Sequence, residues 1–105
     1  MYLVEIEKIR QNVRNGFYDV SKHAEEERRK DLLEVEDVKR AIFDGKIIED
    51  YPNDPRGPSC LILGWNRGVP IHVVCGEYPS GRTVIVTVYK PDDNLWDENF
   101  EKRRK

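Results

Sequence analysis

Apolar residues along this chain follow two rhythms, and the change from one to the other divides it. Leu3, Ile6, Ile9 and Val13 recur at helical spacing between charged positions, which predicts an amphipathic helix over 2–14. Asn15-Gly16 stops it, and Phe17 to Val20 reads as a short extended connector. Ser21 is placed to cap a second helix that begins near Lys22. Glu25, Glu26 and Glu27 come early in it and Arg28, Arg29 and Lys30 late, the order the helix dipole favours. Leu32, Leu33, Val35, Val38, Ala41 and Ile42 give a third helix over roughly 35–44, ended by Gly45.

Past Gly45 the period shortens to that of strands. Lys46 to Tyr51 reads as a strand, 52–58 as an open loop, and Ser59 to Trp65 as an almost wholly apolar strand before a turn at Asn66-Arg67-Gly68. Val69 to Glu77 and Thr83 to Lys90 flank a Pro-Ser-Gly turn and predict an antiparallel hairpin. Pro91-Asp92-Asp93 breaks the last strand, and Leu95 to Lys102 is expected to form a short terminal helix carrying Trp96 and Phe100. Helices precede strands, so the expected fold is α+β. It is one domain, with a four-stranded, mainly antiparallel sheet in chain order and helices on one face.

The hairpin carries the most specific signal. With its turn centred on Ser80-Gly81, His72 falls opposite Tyr89, Val74 opposite Thr87, and Gly76 opposite Ile85. Strand alternation then sends Ile71, Val73, Cys75, Val84, Val86 and Val88 to the core face. An imidazole, a hydroxyl and a phenol collect on the other face.

Composition narrows the possible partners. Of the 105 residues 38% are hydrophobic and 36% charged, which calls for a compact core inside a charged shell. A net charge of −2 supplies no overall basic field for tight non-specific nucleic-acid binding, although Arg103, Arg104 and Lys105 make a local basic run. Cys60 and Cys75 lie in apolar runs without metal-ligand spacing, so buried reduced thiols are expected, and no metal or cofactor. Neither a leader pattern nor a membrane-length apolar stretch is present in the sequence, and a cytoplasmic protein without membrane contact is expected.

Ser21-Lys22-His23-Ala24, Glu49-Asp50-Tyr51-Pro52, Gly57-Pro58-Ser59-Cys60-Leu61, Pro70-Ile71-His72-Val73-Val74, Thr87-Val88-Tyr89 and Pro91-Asp92 with Trp96 occur in this order. In these motifs the chain resembles, from about Ile9 to Arg104, the small bacterial and archaeal family labelled domain of unknown function 4258. The resemblance implies a fold grouped with the RelE-like and barnase-like ribonucleases, and a role similar to that of toxins in toxin–antitoxin pairs. A cognate antitoxin would be a partner. Where that family commonly carries Arg-Gly between its second and third helices, this chain reads Lys30-Asp31, and lysine does not reproduce a bidentate arginine–phosphate contact.

Metal-free RNA cleavage needs a base, an acid and cations that steady phosphate. His72 titrates near neutrality and suits the first or second role, with Tyr89 orienting it or donating. Thr87 is placed to hold a phosphate oxygen. His23 with Arg28 and Lys30 can approach from the second helix, and Arg103 and Arg104 from the terminal one. Each residue also has a plain explanation: strand surface for His72 and Thr87, helix decoration for His23, a solvated tail for the arginines. A non-catalytic protein-interaction module is therefore the alternative, and 20 acidic residues against 18 basic ones lean toward it.

Overall fold

The computed structural model describes residues 4–105, so Leu3 of the first predicted helix lies outside the described residues. The elements run α1 (Ile6–Arg14), β1 (Tyr18–Val20), α2 (Lys22–Lys30), α3 (Val35–Asp44), β2 (Lys46–Tyr51), β3 (Ser59–Asn66), β4 (Val69–Glu77) and β5 (Thr83–Tyr89). The fold is α+β, as expected, but the sheet has five strands in the order β1-β5-β4-β3-β2. β2 to β5 form an antiparallel meander in chain order. The fifth strand comes from the supposed connector: Tyr18, Asp19 and Val20 pair in parallel with Thr83, Val84 and Ile85.

Local chemistry accounts for the helix boundaries. The Ser21 hydroxyl accepts the Ala24 backbone N–H at 3.0 Å and donates to the Val86 carbonyl at 2.8 Å, so it starts α2 and ties it to β5. At the N-terminus of α3, Glu34 and Asp37 form a reciprocal capping box. Arg10 fastens α1 to the far end of α3 by donating to the Ile42 carbonyl at 3.0 Å and the Gly45 carbonyl at 2.6 Å. α3 rests directly on β3 at Gly64, where an added Cβ would stand 2.4 Å from the Ala41 Cα; glycine is what permits this approach.

The helices cover one sheet face. Ile9, Val13, Ala24, Val38, Ala41 and Ile42 pack there on Cys60, Ile62, Ile71, Val73, Cys75, Ile85 and Val88. Both cysteines are free and buried. Burial pushes the Cys60 thiol up to about 12, with Asp50's charge adding to it, and raises Cys75 as well. No helix among the described residues is long and apolar enough to cross a membrane.

Two further expectations need correction. The first is the hairpin register, which holds for His72–Tyr89 and Val74–Thr87 and then slips, so that Cys75 faces Ile85 and Gly76 faces Val84. Val86 is the extra residue of a β-bulge, which changes the phase of the strand. Ile85 and Thr83 turn into the core, whereas Val84 and Val86 are only half-buried and line a hollow on the outer face. The second is the terminal helix, which does not form. Asp92 accepts the Asn94 N–H through its side chain, Asp97 accepts those of Asn99 and Glu101, and Trp96 pairs with Arg103 in an isolated antiparallel bridge. Aspartate side chains that bond nearby backbone N–H groups stabilise turns at the expense of helix, and Phe100 adopts a left-handed φ of 60°. Residues 91–105 therefore form a strap across the sheet rather than a helix.

Candidate functional site

The strap encloses His72. Its imidazole lies on the outer face of β4 at 0% exposure, in a layer with Leu61, Leu63 and Trp96 that is separate from the core under the helices. The Trp96 ring meets it edge-on with centroids 4.4 Å apart, and the Tyr89 ring at 5.2 Å. Both ring nitrogens are engaged: Nε2 lies 2.8 Å from the Phe100 carbonyl oxygen and Nδ1 3.1 Å from the Tyr89 hydroxyl. A carbonyl can only accept, so Nε2 carries the proton. In the neutral ring Nδ1 then accepts from the Tyr89 O–H. Burial lowers the His72 pKa, against the opposing pull of the Phe100 carbonyl and of Glu49's charge. The imidazole is thus neutral and fixed in one tautomer.

Around it stands a second, wetter group. Glu49 and Tyr51 are two apart on β2 and share a face, and their side chains are hydrogen-bonded to each other. Arg103 reaches over from the strap and donates Nε and Nη2 to the two Glu49 carboxylate oxygens, each at 3.1 Å, while its guanidinium sits 4.7 Å from the Trp96 ring centroid. Burial alone would raise the Glu49 pKa, but the hydrogen bonds from Arg103 and Tyr51 outweigh it and hold the carboxyl below its usual range. Burial and then Glu49 push Tyr51 up to about 12. Glu49 and Arg103 both lie near enough to His72 for their charges to act on its titration.

Of the residues singled out from the sequence, His72, Tyr89 and Arg103 are brought together. Thr87 is half-buried one row along, opposite Val74. Arg104 follows Arg103 but donates to the Asp93 carbonyl at 2.8 Å. On α2, His23 is largely exposed and holds Nε2 at 2.7 Å from a Glu27 oxygen; Glu27's charge reaches Tyr89, whose pKa is raised chiefly by burial. Arg28 is committed to Glu25 and to the Leu33 carbonyl, and Lys30 is exposed at the helix end. Just beyond, Asp31 accepts the Lys90 backbone N–H at 2.9 Å, and the left-handed residue of that turn is Leu32, with φ 57°. Sequence reasoning gave no role to Glu49 and Tyr51. Their i, i+2 spacing on a polar strand face was the signal that could have found them.

Three helices on one face of a mixed five-stranded sheet, with a strap sealing a histidine on the other, define an α+β domain carrying a polar outer-face site. The chain belongs to the family described as domain of unknown function (DUF4258), whose model matches residues 20–90. That match includes His72, Tyr89, Glu49 and Tyr51. No curated protein and no solved structure matches the chain.

Proposed function

We propose that the domain is a metal-independent endoribonuclease of the toxin type, held in check by an antitoxin protein, with the sheet face around His72 as its working surface. One observation supports this reading. An imidazole, a carboxylate, a guanidinium and two phenols, drawn from β2, β4, β5 and the strap, converge on that face. Once the Phe100 carbonyl leaves Nε2, the other tautomer places Nδ1–H on the Tyr89 oxygen and frees Nε2 to take the 2′-hydroxyl proton. The 2′-oxygen bonds to phosphorus as the bond to the 5′-oxygen breaks. Tyr51 then protonates the leaving oxygen and recovers its proton from the imidazolium. Glu49 steadies that imidazolium, and Arg103 exchanges the carboxylate for phosphate oxygens, which suit its planar fork. Thr87 contacts the phosphate. His23, Arg28, Lys30 and Arg104 serve as flanking RNA contacts rather than proton carriers.

The test is cleavage of labelled RNA in chelator, with and without ribosomes. Wild type is expected to leave 2′,3′-cyclic phosphate ends, and His72→Ala to lose about 10²–10⁴-fold in rate. Wild type that cleaves neither substrate, or a His72→Ala variant that matches it, ends the proposal. A non-catalytic interaction module is then the reading left. It too has a specific observation in its favour: His72 is sealed with both nitrogens satisfied, and Arg103 is already bound to Glu49.

A further inference from the structure

The strap covers only part of the outer sheet face. Along β4, His72 lies beneath it, but Gly76, about 13 Å further on at the usual strand rise, is buried without it and lines a hollow to which no strap residue contributes. There the sheet floors a hollow of about 190 Å³ with Val74, Gly76, Val84 and Val86. Tyr78, 42% exposed, lines it too, with Asp54 and Arg56 from the 52–58 loop and Glu77.

Gly76 marks this hollow as more than slack packing. Its row runs Tyr51, Ser59, Gly76, Val84 across four strands. A Cβ added at Gly76 would meet nothing closer than the Val84 methyl at 3.4 Å, with Pro58 O at 3.6 Å and Ser59 Cβ at 3.7 Å. These are ordinary contacts, and the residue has no left-handed φ. A side chain is therefore sterically tolerated at this mid-strand position, which lies beside the β4–β5 bulge and where a glycine weakens the sheet. What its missing side chain does is keep the floor of the hollow empty.

We infer that this hollow is a nucleobase subsite, taking one unstacked base of the RNA strand whose phosphate lies at Arg103 and His72. The choice of occupant rests on the ribonuclease reading. Size and chemistry agree with it. The volume falls below the roughly 300–1,000 Å³ of pockets for drug-sized ligands, which fits one flat heterocycle rather than a folded peptide segment. An aliphatic floor with a tyrosine at the side suits a base's faces, and single-stranded RNA is read by such contacts together with hydrogen bonds to base edges. Asp54 supplies the edge contact. Its carboxylate is ion-paired with Arg56, which donates its backbone N–H at 2.9 Å and Nε at 3.3 Å to one oxygen and Nη2 at 3.4 Å to the other, where the Ser59 hydroxyl also reaches at 3.4 Å. The long contacts on the second oxygen can be exchanged for the amino group of a base, so amino-bearing bases should bind in preference to uracil.

The experiment is amide NMR titration of the whole domain with the four nucleoside 3′-monophosphates, repeated with Gly76→Val and Tyr78→Ala. Expected are saturable shifts at Val74, Gly76, Val84 and Val86, weakest for the uridine nucleotide. Gly76→Val should abolish them while its melting temperature stays at or above that of wild type, and Tyr78→Ala should weaken binding several-fold. No saturable shifts in wild type, shifts confined to other surfaces, or undiminished binding by folded Gly76→Val would each overturn the inference. The outcome separates from that of the cleavage assay. Binding without cleavage keeps the subsite and removes the catalytic reading, whereas cleavage without binding here does the reverse.

Discussion

Ile71 and His72 are neighbours in β4 and both are wholly enclosed, yet they are buried in different ways. Ile71 points under the helices into a layer of aliphatic side chains, where any well-fitting hydrophobe is accommodated. His72 points the opposite way into a small chamber, where each nitrogen has one partner and one ring closes the top. The first kind of burial depends on volume. The second depends on identity, because a buried polar group that loses its partner carries the full cost of desolvation. A histidine enclosed in this way holds down a strap that has no regular secondary structure of its own.

The largest test of this contrast compares a deletion on each side. Trp96→Ala is expected to cost about 3–5 kcal/mol and Ile71→Ala about 2–5 kcal/mol, but the losses should be distributed differently. In Trp96→Ala, hydrogen exchange should accelerate along 93–104 while the β3 and β4 amides keep most of their protection. In Ile71→Ala all of them should weaken together. Uniform loss in both variants would mean that strap and core are one cooperative unit.

A smaller effect comes from pH. Burial holds the His72 imidazole below its ordinary value, so the folded state resists a proton that the unfolded chain accepts. Stability should therefore be complete above about pH 6.5 and fall as the pH drops beneath it, by at most about 1.4 kcal/mol per unit, until the folded imidazole is protonated too. Urea melts across that range should show this limb in wild type and lose it in His72→Gln. Equal slopes in the two proteins would remove His72 as its source. The smallest effect belongs to the exposed rim. Arg103→Lys is expected to change stability by less than about 1 kcal/mol, because a salt bridge whose guanidinium is largely exposed contributes little. A larger change in chemical denaturation would show that the Glu49–Arg103 pair closes the chamber rather than decorating it.

The same contrast explains what could be read from the chain. α1 and α3 were legible because each exposes one face and buries the other, and β3 because it is apolar throughout and buried on both faces. β1 was not, since three residues carry too little period and their pairing partner lies near the other end of the sequence. The bulge was hidden for a different reason. Val84, Ile85 and Val86 are all β-branched and apolar, so nothing in the pattern fixes their phase. The strap looked helical because Trp96 and Phe100 are four apart, while the turn-forming aspartates at 92 and 97 won locally. In the site, the His72–Tyr89 pair followed from register alone. Its closure could not, because a partner that arrives as a backbone carbonyl from Phe100 leaves no mark in residue type.

The parallel pairing of β1 with β5 has a consequence for how the molecule assembles. The meander joins each strand to its predecessor through a turn or, between β2 and β3, the 52–58 loop, so its contacts are local and form quickly. β1 has no strand to join until β5 is in place, and α1 lies still earlier in the chain. On a ribosome, all three helices emerge before most of the sheet they cover, with their apolar stripes exposed while β2 to β5 are still being synthesised. Docking α1 and β1 on β5 closes the longest loops in the fold, with Asn12 bonded to Thr83 and Tyr18 paired beside it, and it is the step that ties the start of the chain to the finished meander.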